Sequence, residues 1–313
     1  MKSNAHSKAR PIAVFDSGVG GLPYLSWLKR NLPGERFVYL ADRANFPYGE
    51  KSEEALRRIV LDTVGHYISS QDPKIMIIAC NTASVVALAD LRARYDIPFI
   101  GVVPAVKPAA EMSQTRSIGI LATRRTVQDP YTEELISSFA PDCRVSRFAG
   151  VEIVDLVENH FFTTSAEEKR RVLEPAVDYF RQQNVDTVVV ACTHFIFVQE
   201  ELQRMMGEET RVIDSRDGVG RQAMNVLGEL RLLTRVEDLP GDDGDLIDGD
   251  LIDGDLIDGD LIDGDLIDGD LIDGDLIDGD LIDGDYFFVT RVQNEERYQR
   301  FAADFALQWG GIL

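Results

Sequence analysis

KIMIIACNTAS (residues 74–84) and DTVVVACTHFI (residues 186–196) share one construction. Each is an apolar run that ends in Ala-Cys and switches at once to small polar residues. A short apolar run bounded this way reads as an interior strand of a parallel sheet, buried on both faces. The pattern therefore places one thiol, Cys80, at the tip of one strand and a second, Cys192, at the tip of another. Open α/β sheets bind ligands just beyond the carboxyl ends of their strands. Two cysteines in matching positions point to one substrate held between two thiols. The competing interpretation is a pair of buried core cysteines, a common fate of free Cys.

Working outward, strands alternate with helical stretches. IAVFD leads through a Gly-rich turn into a helix ending near residue 32, and ERFVYLAD (35–42) is a second strand. Helices are expected over 51–70, 83–95, 130–139 and 166–183, and further strands at IPFIGVV (97–103), SIGILAT (117–123), CRVSRFA, RVIDS (211–215) and YFFVT (286–290). EERYQRFAADFALQW (295–309) reads as one last amphipathic helix. This alternation predicts an α/β chain of doubly wound parallel sheets. The two Cys-tipped strands lie 112 positions apart, which suggests two related lobes. The expected division is 1–104 with 216–245 and 286–313 as the first lobe, and 105–215 as the second.

Residues 246–285 interrupt the plan with eight copies of LIDGD. The block holds 16 of the 54 acidic residues, which leaves 38 against 32 basic ones, a net of −6. The overall charge of −22 is thus a property of the block, and no basic stripe suggests a nucleic-acid partner. Three readings of the block compete. An acidic loop without fixed structure is preferred, because glycine and repelling Asp both disfavour compaction. The GDLID register resembles the pentapeptide-repeat family of β-coils, but its Ile residues would point outward. Calcium binding fits worst, since a period of five does not give EF-hand spacing. The N-terminal MKSNAHSKAR lacks the apolar core of a signal peptide, and no run reaches membrane-span length. With three cysteines and no disulfide framework, a cytoplasmic location is expected.

The first strand runs into Asp16-Ser17-Gly18-Val19-Gly20-Gly21. This is not a dinucleotide fingerprint, because Pro23 stands where the third Gly would be, and no Gly-Lys-Ser/Thr follows. It is either a ligand-approaching loop that presents Asp16 and Ser17, or only a capped turn. Tyr48-Gly49 follow the second strand and could equally be a turn. Asn81-Thr82 and Thr193-His194 follow the two cysteines, where helix N-termini could hold a carboxylate and lower the thiol pKa. His194 is placed to manage a proton. No ligand spacing suggests a metal.

Taken in order, DSGVGG, PYGEKS, ACNTAS, GVVPAVKPA and ACTH closely resemble glutamate racemases, over nearly the whole chain outside the N-terminal tail and the repeat block. DSGxGG together with CNT and CTH sets this group apart from related aspartate racemases. The sequence departs from the pattern after CTH, with Phe-Ile-Phe where Tyr-Pro is usual, and at Asn45, where Arg is frequent. The resemblance implies two flavodoxin-like lobes with the active site between them, no cofactor, glutamate as substrate, and often a homodimer. It implies that Cys80 and Cys192 are the acid/base pair, with Cys80 acting on D-glutamate and Cys192 on L-glutamate. Asp16 and His194 would support the thiols, and Glu158 would stand beside the second. Asp16, Ser17, Tyr48, Gly49, Asn81, Thr82, Thr193 and His194 would contact substrate. The product, D-glutamate, would feed peptidoglycan synthesis. Two alternatives remain: a racemase or isomerase of aspartate or another small acid, and an acidic, repeat-based binding module.

Overall fold

The computed structural model describes residues 8–234, 284–291 and 294–313. Almost all of the LIDGD block, and with it the choice among its three readings, lies outside these residues.

The strands form two parallel sheets. In the first, β1 (Ile12–Asp16) is flanked by β2 (Phe37–Ala41) and β3 (Ile75–Ile78), and β4 (Phe99–Gly101) pairs with β3. In the second, β5 (Ser117–Ala122) is flanked by β6 (Arg144–Ala149) and β7 (Thr187–Val190), and β8 (Arg211–Ile213) pairs with β7. Both therefore have the order 2-1-3-4. In each, the Cys-tipped strand occupies the third place in chain order, next to the central strand, where the winding direction reverses. β1 and β3 are fully buried along their length, which explains their uninterrupted apolar runs.

The helices begin where side chains can satisfy their free N–H groups. Ser52 caps α2 (Glu53–Gln71) through Ala55 N–H, after α1 (Leu22–Asn31). α3 (Asn81–Arg94) begins directly after Cys80. α4 (Val106–Met112) and α5 (Arg124–Gln128) were not foreseen from the sequence. They are seven and five residues long, too short for a periodic signal. α6 (Pro130–Phe139) is followed, after β6, by α7 (Val151–Asp155), which widens into a π-turn at Leu156–His160. α8 (Ala166–Gln182) opens with a Ser165–Glu168 capping box. A 3-10 turn (Thr193–Val198) leads into α9 (Gln199–Met206).

α10 (Arg216–Glu229) returns to α1, where Trp27 Nε1 donates to Asp217 at 2.7 Å and Tyr24 and Ser215 hydroxyls meet at 2.8 Å. The C-terminal segment differs from expectation. α11 spans only Glu295–Asp304, and Gln308–Ile312 form a further strand, β10, parallel to β9 (Tyr286–Val289). Ala306 adopts φ 51°, and Leu307 N–H bonds Ala302 C=O at 2.8 Å, a Schellman ending. Gly310 then lets β10 lie against Phe288, whose ring would be 2.4 Å from a Cβ there. β9 and β10 extend the first sheet beyond β2.

The chain leaves for the repeat block and returns from it at neighbouring points. Thr234 N–H donates to buried Glu35 at 2.8 Å, and Glu35 pairs with buried Lys74. Asp285, the last residue of the last LIDGD, accepts from Phe37 N–H at 2.7 Å and pairs with Lys29 at 2.8 Å. Glu35 and Phe37 precede and open β2, at the amino edge of the sheet, opposite the cysteines. Every repeat ends in the same Gly-Asp, so joining Gly244-Asp245 to Tyr286 recreates this anchor. Loop closure changes by only about 0.6 kcal/mol per doubling of length. Such a deletion is expected to keep the thermal midpoint within a few degrees of wild type. The same deletion with Asp245→Ala should lose on the order of 1–2 kcal/mol in denaturant unfolding, because Phe37 N–H and Lys29 then lose their acceptor.

Candidate active site

The carboxyl ends of the two sheets face one cavity of about 340 Å³. Ser17, Tyr48, Gly49, Cys80, Asn81, Thr82, Cys192, Thr193 and His194 all line it. Nine of the eleven residues singled out in the sequence thus line one cavity. The remaining two, Asp16 and Glu158, are fully buried beneath it.

The two cysteines share one backbone conformation. Cys80 has φ −140°, ψ 116° and caps α3; Cys192 has φ −143°, ψ 132° and caps the 3-10 turn ahead of α9. Both are extended residues just past a strand, each followed directly by a helical or 3-10 start, and both border the cavity. Cys80 Sγ lies 3.8 Å from Ser17 Oγ. Burial pushes the Cys80 thiol up, with the Asp16 charge adding to it and the Ala83 N–H and Ser17 opposing. The expected lowering by a helix N-terminus is therefore overturned at Cys80: desolvation by burial outweighs the backbone donor.

Asp16 ends β1 and joins the two sides. It accepts from Gly18 N–H at 2.7 Å and from Thr193 Oγ1 at 3.0 Å. Burial pushes its carboxyl up to about 6, against the opposing charge of His194 and these hydrogen bonds. His194 Nε2 lies 2.9 Å from Glu158 Oε2. Burial would lower the imidazole pKa, but hydrogen bonds to Cys192 and Glu158 and the Asp16 charge hold it well above the usual range. Glu158 is the counterpart. Burial opposes its ionisation, yet the hydrogen bond and charge of His194, with Tyr298 and Val19 N–H, hold it below the usual carboxylate range. The pair is an imidazolium–carboxylate ion pair, with the imidazolium beside Cys192.

The Gly-rich turn is shaped by this arrangement. A Cβ at Gly18 would lie 2.2 Å from Glu158 Oε2, and one at Gly20 would lie 2.4 Å from Thr193 Oγ1. The glycines are there because side chains of the π-turn and the 3-10 turn approach the backbone directly.

The model of the Asp/Glu/Hydantoin racemase family matches residues 26–219. The chain belongs to this family. The glutamate racemase of Klebsiella pneumoniae (strain 342) is 45% identical over 219 residues, covering 69% of this chain and 77% of that protein. That of Proteus mirabilis (strain HI4320) is 43% identical over 224 residues, covering 70% and 77%. A crystal structure of Escherichia coli glutamate racemase in complex with L-glutamate and the activator UDP-MurNAc-Ala superposes with TM-score 0.74 at 30% identity, over 97% of this chain and 98% of that one.

Several residues around the racemase-family site carried no motif. Tyr39, within β2, donates to Gly18 C=O at 2.9 Å and accepts from Gly21 N–H at 3.0 Å, pinning the Gly-rich turn. Asp42 accepts from Tyr48 at 2.5 Å and from Thr290 at 2.8 Å. Arg43 Nε lies 3.5 Å from Glu158, and its guanidinium stacks on Phe46, whose ring lies 5.9 Å from His194. Tyr298 reaches Glu158 from α11. Tyr39 and Tyr298 look in sequence like ordinary core aromatics, so only their hydroxyl partners reveal them. Asp42 ends a predicted strand, a signal that could have found it. Cys143 lies outside the cavity, at the start of β6. Among the described residues no cluster of three or more His, Cys, Asp or Glu could hold a metal ion, and no helix is long and apolar enough to cross a membrane.

Proposed function

We propose that the protein interconverts L- and D-glutamate by moving the α-proton between Cys80 and Cys192 without a cofactor, and so supplies D-glutamate for peptidoglycan. The observation that carries this reading is the pairing of two cysteines, equivalent in their sheets, on one cavity. Racemisation removes a proton from one face of Cα and returns another to the opposite face, and one fixed base cannot serve both. A thiolate on one side takes the proton, and a thiol on the other gives one. At the end of the turnover their protonation states have exchanged.

The carbanion formed at Cα is far less stable than a thiolate, so the site must stabilise its charge as it develops. The N–H groups after each cysteine are placed at helix starts, where a substrate carboxylate is favoured. Water exclusion strengthens these interactions. Cys80, kept protonated by burial, is set as the proton donor; His194 puts a positive charge beside Cys192, opposite it. A protonated Cys80 is the donor required when Cys192 takes the proton of L-glutamate.

The test is substrate choice. Purified protein, with no cofactor added, is expected to bring either enantiomer of glutamate to an equal mixture, followed by circular dichroism. Turnover of aspartate faster than glutamate, or no loss of optical activity with glutamate, would overturn the proposal.

A further inference from the structure

Glu158 is fully buried, and its carboxylate is gripped from four separate parts of the chain. Oε2 accepts from Val19 N–H at 3.0 Å and faces His194 Nε2 at 2.9 Å. Oε1 accepts from the Tyr298 hydroxyl at 2.6 Å and lies 3.5 Å from Arg43 Nε. The shortest of these contacts comes from α11, 140 positions away, in the segment that follows the repeat block. The Tyr298 ring has its own seat, edge-on to Phe287 at 6.3 Å. Burial and the Glu158 charge push the tyrosine pKa up, so the hydroxyl keeps its proton and always donates.

A carboxylate held at only one oxygen can rotate about its last bond. Held at both, it presents Oε2 to His194 in one plane. The hydroxyl is the only contact to Oε1 of hydrogen-bonding length among the described residues, since 3.5 Å to Arg43 is long. We propose that Tyr298 is a positioning residue for racemisation: by fixing the Glu158 carboxylate, it holds His194 in the ring position and charge state that serve Cys192. This rests on the racemase reading above. It makes the C-terminal helix part of the proton-handling apparatus rather than only a cover on the first sheet.

Tyr298→Phe keeps the ring in its seat and removes only the hydroxyl. Three readouts are taken on the full chain: kcat and KM for both enantiomers, the thermal midpoint, and the histidine NMR titration, with His194 assigned by its loss in His194→Asn. The expected result is a kcat about tenfold lower, KM within about twofold, a thermal midpoint within a few degrees, and a His194 protonation midpoint lower by about one pH unit. Placing 3-fluorotyrosine at 298 restores the hydroxyl in the same shape, and with it kcat and the His194 titration. A folded Tyr298→Phe protein with unchanged kcat and His194 titration, whatever its thermal midpoint, would give the hydroxyl a purely structural role and overturn the proposal. Should Tyr298→Phe not fold, 4-fluorophenylalanine at 298, which fills the space of the hydroxyl without donating, is expected to lower kcat and the His194 midpoint in the same sense. No change there, or no restoration by 3-fluorotyrosine, would also overturn it. The NMR arm needs no substrate. A wild-type protein that leaves glutamate unchanged would therefore overturn the functional reading alone.

Discussion

Cys80→Ser and Cys192→Ser are each expected to lower kcat/KM for glutamate racemisation by about 10³-fold or more. Serine keeps the size of the side chain but is a far weaker acid than a thiol, so it cannot exchange a proton with Cα at neutral pH. The enantiomers are equal in energy, which forces kcat/KM to fall equally in both directions whichever cysteine is replaced. The two variants separate instead in kinetic isotope effect: with the base replaced, cleavage of the Cα–H bond limits the rate more completely from one enantiomer than from the other. Cys143, at the start of β6 and outside the cavity, provides the control, and Cys143→Ser should retain wild-type activity. A single variant at Cys80 or Cys192 with wild-type turnover would remove that residue from the reaction.

Glu158→Gln is expected to reduce turnover by about 10²-fold and to destabilise the fold by on the order of 3 kcal/mol. The amide keeps the shape of the carboxylate but leaves the buried His194 imidazolium without its counter-charge. The pH dependence has a definite sign. The folded-state pKa of Glu158 is depressed, so its stabilisation is present above the usual 4.5 and is lost as pH falls through the folded value. The folded-state pKa of His194 is raised, so its stabilisation is full below the usual 6.5 and is lost as pH rises through the folded value. The stability gap between wild type and Glu158→Gln is therefore widest between about pH 4.5 and 6.5. Asp16 works the other way, its raised carboxyl making folding less favourable as pH rises from 3.8 to about 6, but it does so in both proteins and largely cancels in the difference. Chemical unfolding across pH checks this. A gap that is flat from pH 3 to 9 would mean that the pair is not ionised in the native state.

The parallel sheets and the cavity wall were legible in the sequence because they depend on short-range patterns. IMII and TVVV are buried on both faces and so are apolar throughout, and the residues after each cysteine are contiguous in the chain. Glu158 was reachable only through resemblance, since VDLVEN carries no local sign that its carboxylate will be buried. Tyr298 was invisible, because its role depends on a hydroxyl meeting a residue 140 positions away. The amphipathic pattern of 295–309 hid a strand. Phe305, Leu307 and Trp309 continue an apolar alternation, and the turn at Ala306 is set by a backbone bond to Ala302 that no residue type announces. The thiol chemistry at Cys80 was misjudged for a related reason. The helix start is visible in sequence, but the desolvation that outweighs it depends on packing against residues distant in the chain, such as Phe15 and Tyr48.

The most direct test of two opposed thiols is racemisation in deuterated water, stopped early and analysed for deuterium at Cα. Each thiol carries one hydron, so the proton taken by one cysteine is not the one delivered by the other. The account predicts that the newly formed enantiomer carries deuterium at Cα from the first turnovers while the remaining substrate stays protiated. Deuterium appearing in unreacted substrate as fast as in product, or product that retains the substrate's own α-proton, would point to a single base and contradict it.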